Sequence, residues 1–169
     1  MTLRTSDQDF VNAKGYLERL PEKLVVEGYR RWMSGYETGD IQCWEMAWNL
    51  YAGSLGACQA RALVAELSCW IRTIRAVSTR TMNHFPYGCG KLCRDECMAL
   101  SMVAGVQHKD RAAMEAAATH LIGCHRIHDA LEASCSFGMA LDAIGQHLIR
   151  VPKPVVQDIA LRPERQHFH

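Results

Sequence analysis

The sequence predicts an all-α protein: a single-domain antiparallel bundle of five to seven helices with a Pro-bounded C-terminal tail. Apolar residues recur at helical spacing along most of the 169 residues, and we find no run with the alternation typical of half-buried strands. The predicted connections are mostly short, which favours antiparallel neighbours. We expect the bundle to occupy residues 1–151. Residues 152–169 are expected to form a tail that crosses the bundle or a partner as a strap, or that is disordered.

Composition excludes several classes of protein. With 49% hydrophobic and 22% charged residues, the chain is neither disordered nor membrane-like. A formal net charge of +1 lacks the basic surplus that binding to phosphates needs, so nucleic acid is not an expected partner. The opening residues lack the apolar segment of a signal peptide, and eight cysteines are too few for a disulfide scaffold. We therefore expect a cytoplasmic protein with reduced thiols.

Capping and proline signals predict the first three helices. Ser6 and Asp7 are suitable caps for a short first helix. A proline suits the first turn of a helix, which predicts a second helix over residues 21–35. The glycine and aspartate at residues 39–40 indicate a stop followed by a new cap, so a third helix begins at Ile41. The apolar residues of these helices are Phe10, Val11, Tyr16, Leu17, Leu24, Val25, Tyr29, Trp32, Ile41, Trp44, Trp48 and Tyr51.

Glycines punctuate the middle of the chain. Those at residues 53–56 end the third helix, and a fourth helix is predicted over residues 57–81. Residues 84–90, HFPYGCG, are the clearest loop because two glycines and a proline interrupt them. A short, apolar fifth helix follows over residues 92–107.

The last helical pattern is the longest. Asp110 can cap it, helical spacing continues over residues 111–150, and Pro152 ends it. A helix of this length is expected to kink or break, and we predict the break near Gly138 or Gly145.

The segment HFPYGCGKLCRDEC contains three cysteines spaced four residues apart, Cys89, Cys93 and Cys97. On one helix they would share a face, and neighbouring thiols could share a metal ion. The outer pair would lie about 12 Å apart along the axis, too far to grip one Zn²⁺. A single ion bound by all three therefore requires Cys89, which is flanked by glycines, to fold back over the helix end.

A second cysteine and histidine pattern, His120, Cys124 and His128, has the same spacing within the last helix. If this face meets the first one, Cys93 and Cys97 could complete a tetrahedral site with Cys124 and His128. Thiolates combined with imidazole favour Zn²⁺, Cu(I) or an iron–sulfur cluster. In the alternative interpretation no metal is bound and the cysteines are small core residues. The predicted ligands are Cys89, Cys93, Cys97, Cys124, His128 and His120.

Aromatic residues form stripes on the second and third predicted helices, which make an αα-hairpin. The candidate ligand-binding residues are Tyr29, Trp32, Tyr36, Trp44 and Trp48. Facing aromatic walls suit a flat ligand, a quaternary amine or a partner helix. The alternative is that these rings form the core of the hairpin.

Two functions follow from these patterns. The first is a metal-binding or redox-sensing protein that uses the cysteines and histidines. The second is a non-catalytic interaction or ligand-binding protein, for example a homodimer, whose cysteines pack in the core and whose aromatic hairpin is the contact site. An enzyme that pairs His128 with Glu132 or Cys124 ranks third, because no known catalytic motif is present and catalytic residues cannot be assigned.

Overall fold

The structure, a computed structural model, describes residues 15–162 and confirms the all-α bundle. A helical turn at residues 15–18 precedes the first complete helix, and the described part of the chain contains no strand. The expected first helix around Phe10 and Val11 lies largely outside the described residues. The helices are α1 (Leu20–Thr38), α2 (Ile41–Leu55), α3 (Ala57–Val77), α4 (Arg94–Gln107), α5 (Arg111–Ile122), α6 (His128–Ala143) and α7 (Lys153–Leu161).

The predicted signals between α1 and α2 act as expected. Gly39 ends α1 with a positive φ of 71°, which glycine adopts without strain. The side chain of Asp40 then accepts a hydrogen bond from the amide of Gln42 at 2.9 Å and caps α2. These two residues turn the chain back on itself, so α1 and α2 pack as a hairpin.

The ends of α3 and α4 differ from the prediction by a few residues. The prediction extended α3 to Thr81, but α3 ends at Val77 because the hydroxyl of Ser78 donates to the carbonyl of Arg80 and closes a turn. Helix α4 begins two residues later than predicted, with Cys93 at the N-cap. Residues 78–93, which we call the α3–α4 loop, connect these two helices.

The long last helix predicted over residues 111–150 is wrong in two respects: a turn at residues 123–127 divides it into α5 and α6, and it ends at Ala143. Gly123 ends α5 with φ 83°, and Thr79 donates from both its amide and its hydroxyl to the carbonyl of Ile122. Helix α6 ends at Ala143, close to Gly145, where a break was predicted, but the helix does not resume after it, whereas the prediction continued it to residue 150. The other predicted position, Gly138, lies inside α6.

The core is built around a few large side chains. Trp70 of α3 is fully buried, stacks on Phe137 of α6 with ring centroids 5.1 Å apart, and donates its indole N–H to Ser134 at 2.9 Å. The ring of Tyr29 of α1 is tilted by 52° against that of Trp70, with centroids 6.3 Å apart. Helices α4 and α5 form a second hairpin, and α7 lies across both of them with Val156 buried. The hairpin places the beginning of α4 beside the end of α5.

Candidate functional site

Arg30, in the middle of α1, is completely buried and uses every N–H of its guanidinium. Its Nε and Nη2 donate to the two oxygens of Glu96 at 2.6 and 3.0 Å, and its Nη1 donates to Glu27 at 2.8 Å. The remaining two N–H groups donate to the carbonyls of Cys89 and Lys91 in the α3–α4 loop. We call Arg30, Glu27 and Glu96 the Arg30 network.

The carboxylates of this network also bind the loop. Glu96 accepts hydrogen bonds from the amides of Phe85 at 2.8 Å and Cys93 at 3.0 Å, and Glu27 accepts one from the amide of Gly88 at 3.0 Å. Burial lowers the pKa of the guanidinium, but the hydrogen bonds and charges of Glu96 and then Glu27 outweigh burial, so this pKa is raised. The network therefore holds an irregular backbone in place through buried charges.

A third buried carboxylate, that of Asp95, fixes the start of the loop. Asp95 pairs with Arg80 through two hydrogen bonds of 3.0 and 3.1 Å and accepts the amide of Asn83 at 2.7 Å. Arg80 also donates to the carbonyl of Leu121 at the end of α5. Three parts of the chain are thus joined at one end of the bundle: the α3–α4 loop, the start of α4 and the end of α5.

Residues 84–91, which we call the loop tip, lie against α1. The Tyr87 ring is half-exposed, and the Arg31 guanidinium lies 5.5 Å from its centroid. Arg31 also donates to the Met46 carbonyl of α2, so the loop tip and the α1–α2 hairpin form one continuous surface. At the other end of the tip, His84 Nε2 lies 2.9 Å from Glu37 Oε2.

The three cysteines of this segment do not share a helical face. Cys89 lies in the loop tip, Cys93 caps α4, and Cys97 lies in the first turn of α4. Burial, reinforced by the charge of Glu96, raises the pKa of the Cys93 thiol well above its ordinary value and that of Cys97 to about 12. Both thiols are therefore protonated at neutral pH, with Cys93 Sγ 3.6 Å from the carbonyl of Asn83.

The other predicted metal ligands are divided by the turn after α5. His120 is exposed near the end of α5, Cys124 is half-buried in the turn, and His128 is the first residue of α6. The expected single face of one helix is therefore wrong, because the chain changes direction between Cys124 and His128. Among the described residues, no three of the six predicted ligands bring their ligand atoms within 4.8 Å of one another.

One group of ligand atoms does come that close within residues 15–162: those of His128, Asp129 and Glu132 at the start of α6. His128 Nε2 lies 3.8 Å from Glu132 Oε2, and both side chains are well exposed. An open notch of about 610 Å³ between the end of α3 and the turn at residues 123–127 borders this group and includes Cys124 in its lining.

The aromatic residues of the hairpin pack mainly on one another. Trp32 and Trp44 stack with centroids 5.5 Å apart, Tyr36 meets Trp44 edge-on at 5.4 Å, and the Trp44 indole lies directly over Gly35. The Trp44 N–H donates to the carbonyl of Trp32 at 3.2 Å. Of the other two predicted ligand-binding residues, Tyr29 is in the core and Trp48 is half-buried on α2.

Comparison with known proteins finds no matching family model, curated protein or solved structure. None of the helices described in residues 15–162 combines the length and apolar character needed to cross a membrane.

Proposed function

We propose that this chain is a non-catalytic protein-interaction module whose contact surface is the loop tip together with the adjoining α1–α2 hairpin. The observation that carries this proposal is the Arg30 network, which commits three buried charged side chains to holding the loop. The network binds the amides of Phe85 and Gly88, and Pro86 and Tyr87 lie between them. Both of these residues are exposed and contribute little to the core. A loop that only connected two helices would not need buried charges on both sides of an exposed tip.

Rigidity favours binding because a preordered loop loses little conformational entropy when a partner docks. The network supplies this order with eight hydrogen bonds between side chains and backbone or between charged side chains, five of them from Arg30. The contact surface also combines an exposed tyrosine with an arginine that stacks on it, Tyr87 and Arg31, and tyrosine and arginine are the residue types enriched in binding hot spots. The partner is accordingly another protein, a second copy of this chain being one case.

A site-specific photo-crosslinker at position 87 tests the proposal in the cell that makes the protein. Met139, which is 65% exposed on α6, is the matched control position. We expect one defined adduct from position 87 and none from position 139. The captured protein is then purified and its affinity measured for the native chain, Tyr87→Ala and Met139→Ala.

The expected result is a loss of roughly tenfold or more in affinity for Tyr87→Ala, the effect of removing a hot-spot side chain, with no change for Met139→Ala. If the partner is a second copy, sedimentation shows a dimer that Tyr87→Ala weakens. Equal crosslinking from both positions, or unchanged affinity in Tyr87→Ala, would contradict the proposal.

A second candidate function is the binding of a divalent transition metal, which the approach of His128, Asp129 and Glu132 supports. One imidazole and two carboxylates are a ligand set found in zinc sites, with water free to fill the remaining position. Of the six predicted ligands this group keeps only His128, to which it adds two carboxylates, and with no thiolate it favours Zn²⁺ over Cu(I) or an iron–sulfur cluster.

Elemental analysis of protein purified anaerobically separates the two possible metal centres. Metal that is lost in His128→Ala but kept in a Cys93→Ala/Cys97→Ala double variant places the site at the start of α6. The opposite pattern places it at the thiols, as the sequence predicts. His147→Ala is the control, because His147 is an exposed histidine that also pairs with a carboxylate. No stoichiometric metal in the native protein would contradict this function.

A further inference from the structure

Helix α3 has a second regular face besides the one it buries. The buried face packs into the bundle through Ala60, Leu63, Leu67, Trp70, Ile71 and Ile74. On the opposite face, Cys58, Ala62, Ala65 and Cys69 follow one another at spacings of four, three and four residues, and all four are exposed. We call these four residues the outer stripe. It faces away from the core over three turns of the helix.

The thiols of the outer stripe are exceptional within this chain. Cys58 and Cys69 are exposed, whereas the other six cysteines are half-buried. Reduced cysteine behaves as a small hydrophobe and is among the residue types most often buried. Alternating spacings of three and four residues keep side chains on the line where two helices of a coiled coil meet. The outer stripe therefore has the pattern of a helix–helix contact.

The charged residues beside the stripe indicate which helix fits it. Arg61 lies on one flank and Glu66 on the other, five residues further along. When two such helices pair in parallel, flanking residues with this separation meet across the contact. Within residues 15–162 neither side chain has an ion-pair partner. A second copy of α3 would supply the missing partner to both.

We propose that the outer stripe is the contact between two copies of this chain, with their α3 helices parallel about a two-fold axis. Arg61 of each copy then pairs with Glu66 of the other. An antiparallel pair would bring identical flanks together, arginine near arginine and glutamate near glutamate, so the charges select the parallel arrangement. This contact is separate from the loop tip and does not depend on the proposed function.

The short side chains set the character of this contact. Alanine loses no side-chain entropy on burial, and small residues allow two helices to approach to about 8 Å between axes. Arg72 occupies the next position of the pattern and ends the contact, because two facing guanidinium groups repel each other. A contact of four residues from each copy is small, so the dimer dissociates on dilution and its thiols are then accessible.

Disulfide crosslinking of the full chain tests the orientation. In the parallel pair Cys58 faces Cys58 of the other copy and Cys69 faces Cys69, whereas an antiparallel pair matches Cys58 with Cys69. Copper–phenanthroline accepts the two electrons that two thiols release, with two protons, as they form a disulfide. We expect a covalent dimer from the native chain, from Cys58→Ser and from Cys69→Ser, and none from the variant with both substitutions. Cys43→Ser, at a half-buried cysteine of α2, is the control that keeps the dimer.

Loss of the dimer in either single variant would overturn the parallel arrangement. A covalent dimer that survives the double substitution would place the contact elsewhere and overturn the proposal altogether.

Sedimentation in reductant tests the contact without a disulfide. Ala65→Glu puts like charges on both sides of it and should weaken association by roughly tenfold or more. Ala112→Glu, at an exposed alanine of α5, should leave association unchanged. Both variants should unfold in urea near the native midpoint, because both positions are exposed. A native chain that is monomeric at every concentration, or a dimer that Tyr87→Ala weakens and Ala65→Glu does not, would overturn the proposal.

Charge reversal tests the pairing of the flanks in the same measurement. Arg61→Glu should weaken association by roughly threefold or more, since two ion pairs in each dimer become repulsive. Adding Glu66→Arg to the same chain should restore it, because each pair is then re-formed with its charges exchanged. A double variant as weak as the single one would overturn the parallel pairing.

Discussion

Replacement of Arg30 by methionine is the most direct test of how the loop is held. The side chain is completely buried, and its removal leaves the buried carboxylate of Glu96 without the guanidinium that pairs with it and Glu27 with only Arg31, whose Nε lies 3.7 Å away. The carbonyls of Cys89 and Lys91 lose their donor as well. Removing one partner of a buried ion pair typically costs about 3–5 kcal/mol. We expect about 4 kcal/mol for Arg30→Met, a large part of the total stability of an ordinary domain.

Guanidinium-induced unfolding followed by tryptophan fluorescence measures this loss. The matched control is Arg111→Met, because Arg111 pairs with Glu115 four residues away but is 75% exposed. An exposed pair of this kind contributes about 0.5 kcal/mol or less. Glu27→Gln, which keeps the shape of the side chain and removes one charge, provides a milder variant with an expected loss of about 1–3 kcal/mol. A loss below about 1 kcal/mol for Arg30→Met, similar to that of the control, would refute the buried-network reasoning.

Three further predictions use ordinary unfolding and labelling measurements. Gly35→Ala should destabilise the protein by about 1–3 kcal/mol in a urea titration, because the new methyl group would lie 2.2 Å from the indole nitrogen of Trp44. Gly53→Ala is the control, since open space surrounds this position in α2, and it should be neutral or stabilising. The free energy of unfolding should fall as the pH rises from 9 toward 12, because unfolding frees the Cys97 thiol to ionise. Unfolding titrations at several pH values should show a shallower fall for Cys97→Ala. At pH 8 a colorimetric thiol reagent should modify the exposed Cys58 at least about tenfold faster than the half-buried Cys97, whose raised pKa keeps it protonated, and equal rates would contradict that raised pKa.

Much of the fold could be predicted because local residues determine where several helices begin and end. The Gly39–Asp40 pair is an example, since glycine permits the left-handed turn and the aspartate side chain caps the next helix within the same four residues. The division between α5 and α6 could not be predicted in the same way. There the carbonyls at the end of α5 are satisfied by Thr79 and Arg80, which are more than 40 residues away in sequence. Gly123 is a local stop signal of the same kind as Gly39, but no capping side chain follows it, because Ile127 at the N-cap of α6 makes no capping hydrogen bond.

The sequence drew attention to the segment HFPYGCGKLCRDEC because of its cysteines, whereas the structure places its carboxylates at the centre of the site. The role of Arg30 was missed because its partners are 59 to 66 residues away apart from Glu27. One signal was available. Val26 and Met33 lie four residues before and three residues after Arg30, and both are buried, so this charge occupies an apolar face of α1. A charge in that position needs buried partners.

The Arg30 network also bears on the thiol function predicted from the sequence. A metal centre at Cys93 and Cys97 needs both thiols to lose their protons. In this structure each thiol is half-buried near the carboxylate of Glu96, which disfavours a negatively charged sulfur, and Glu96 is held by Arg30. A metal cation bound by these thiols would therefore have to replace both protons beside the carboxylate of Glu96, so the apparent affinity of such a centre should rise steeply with pH.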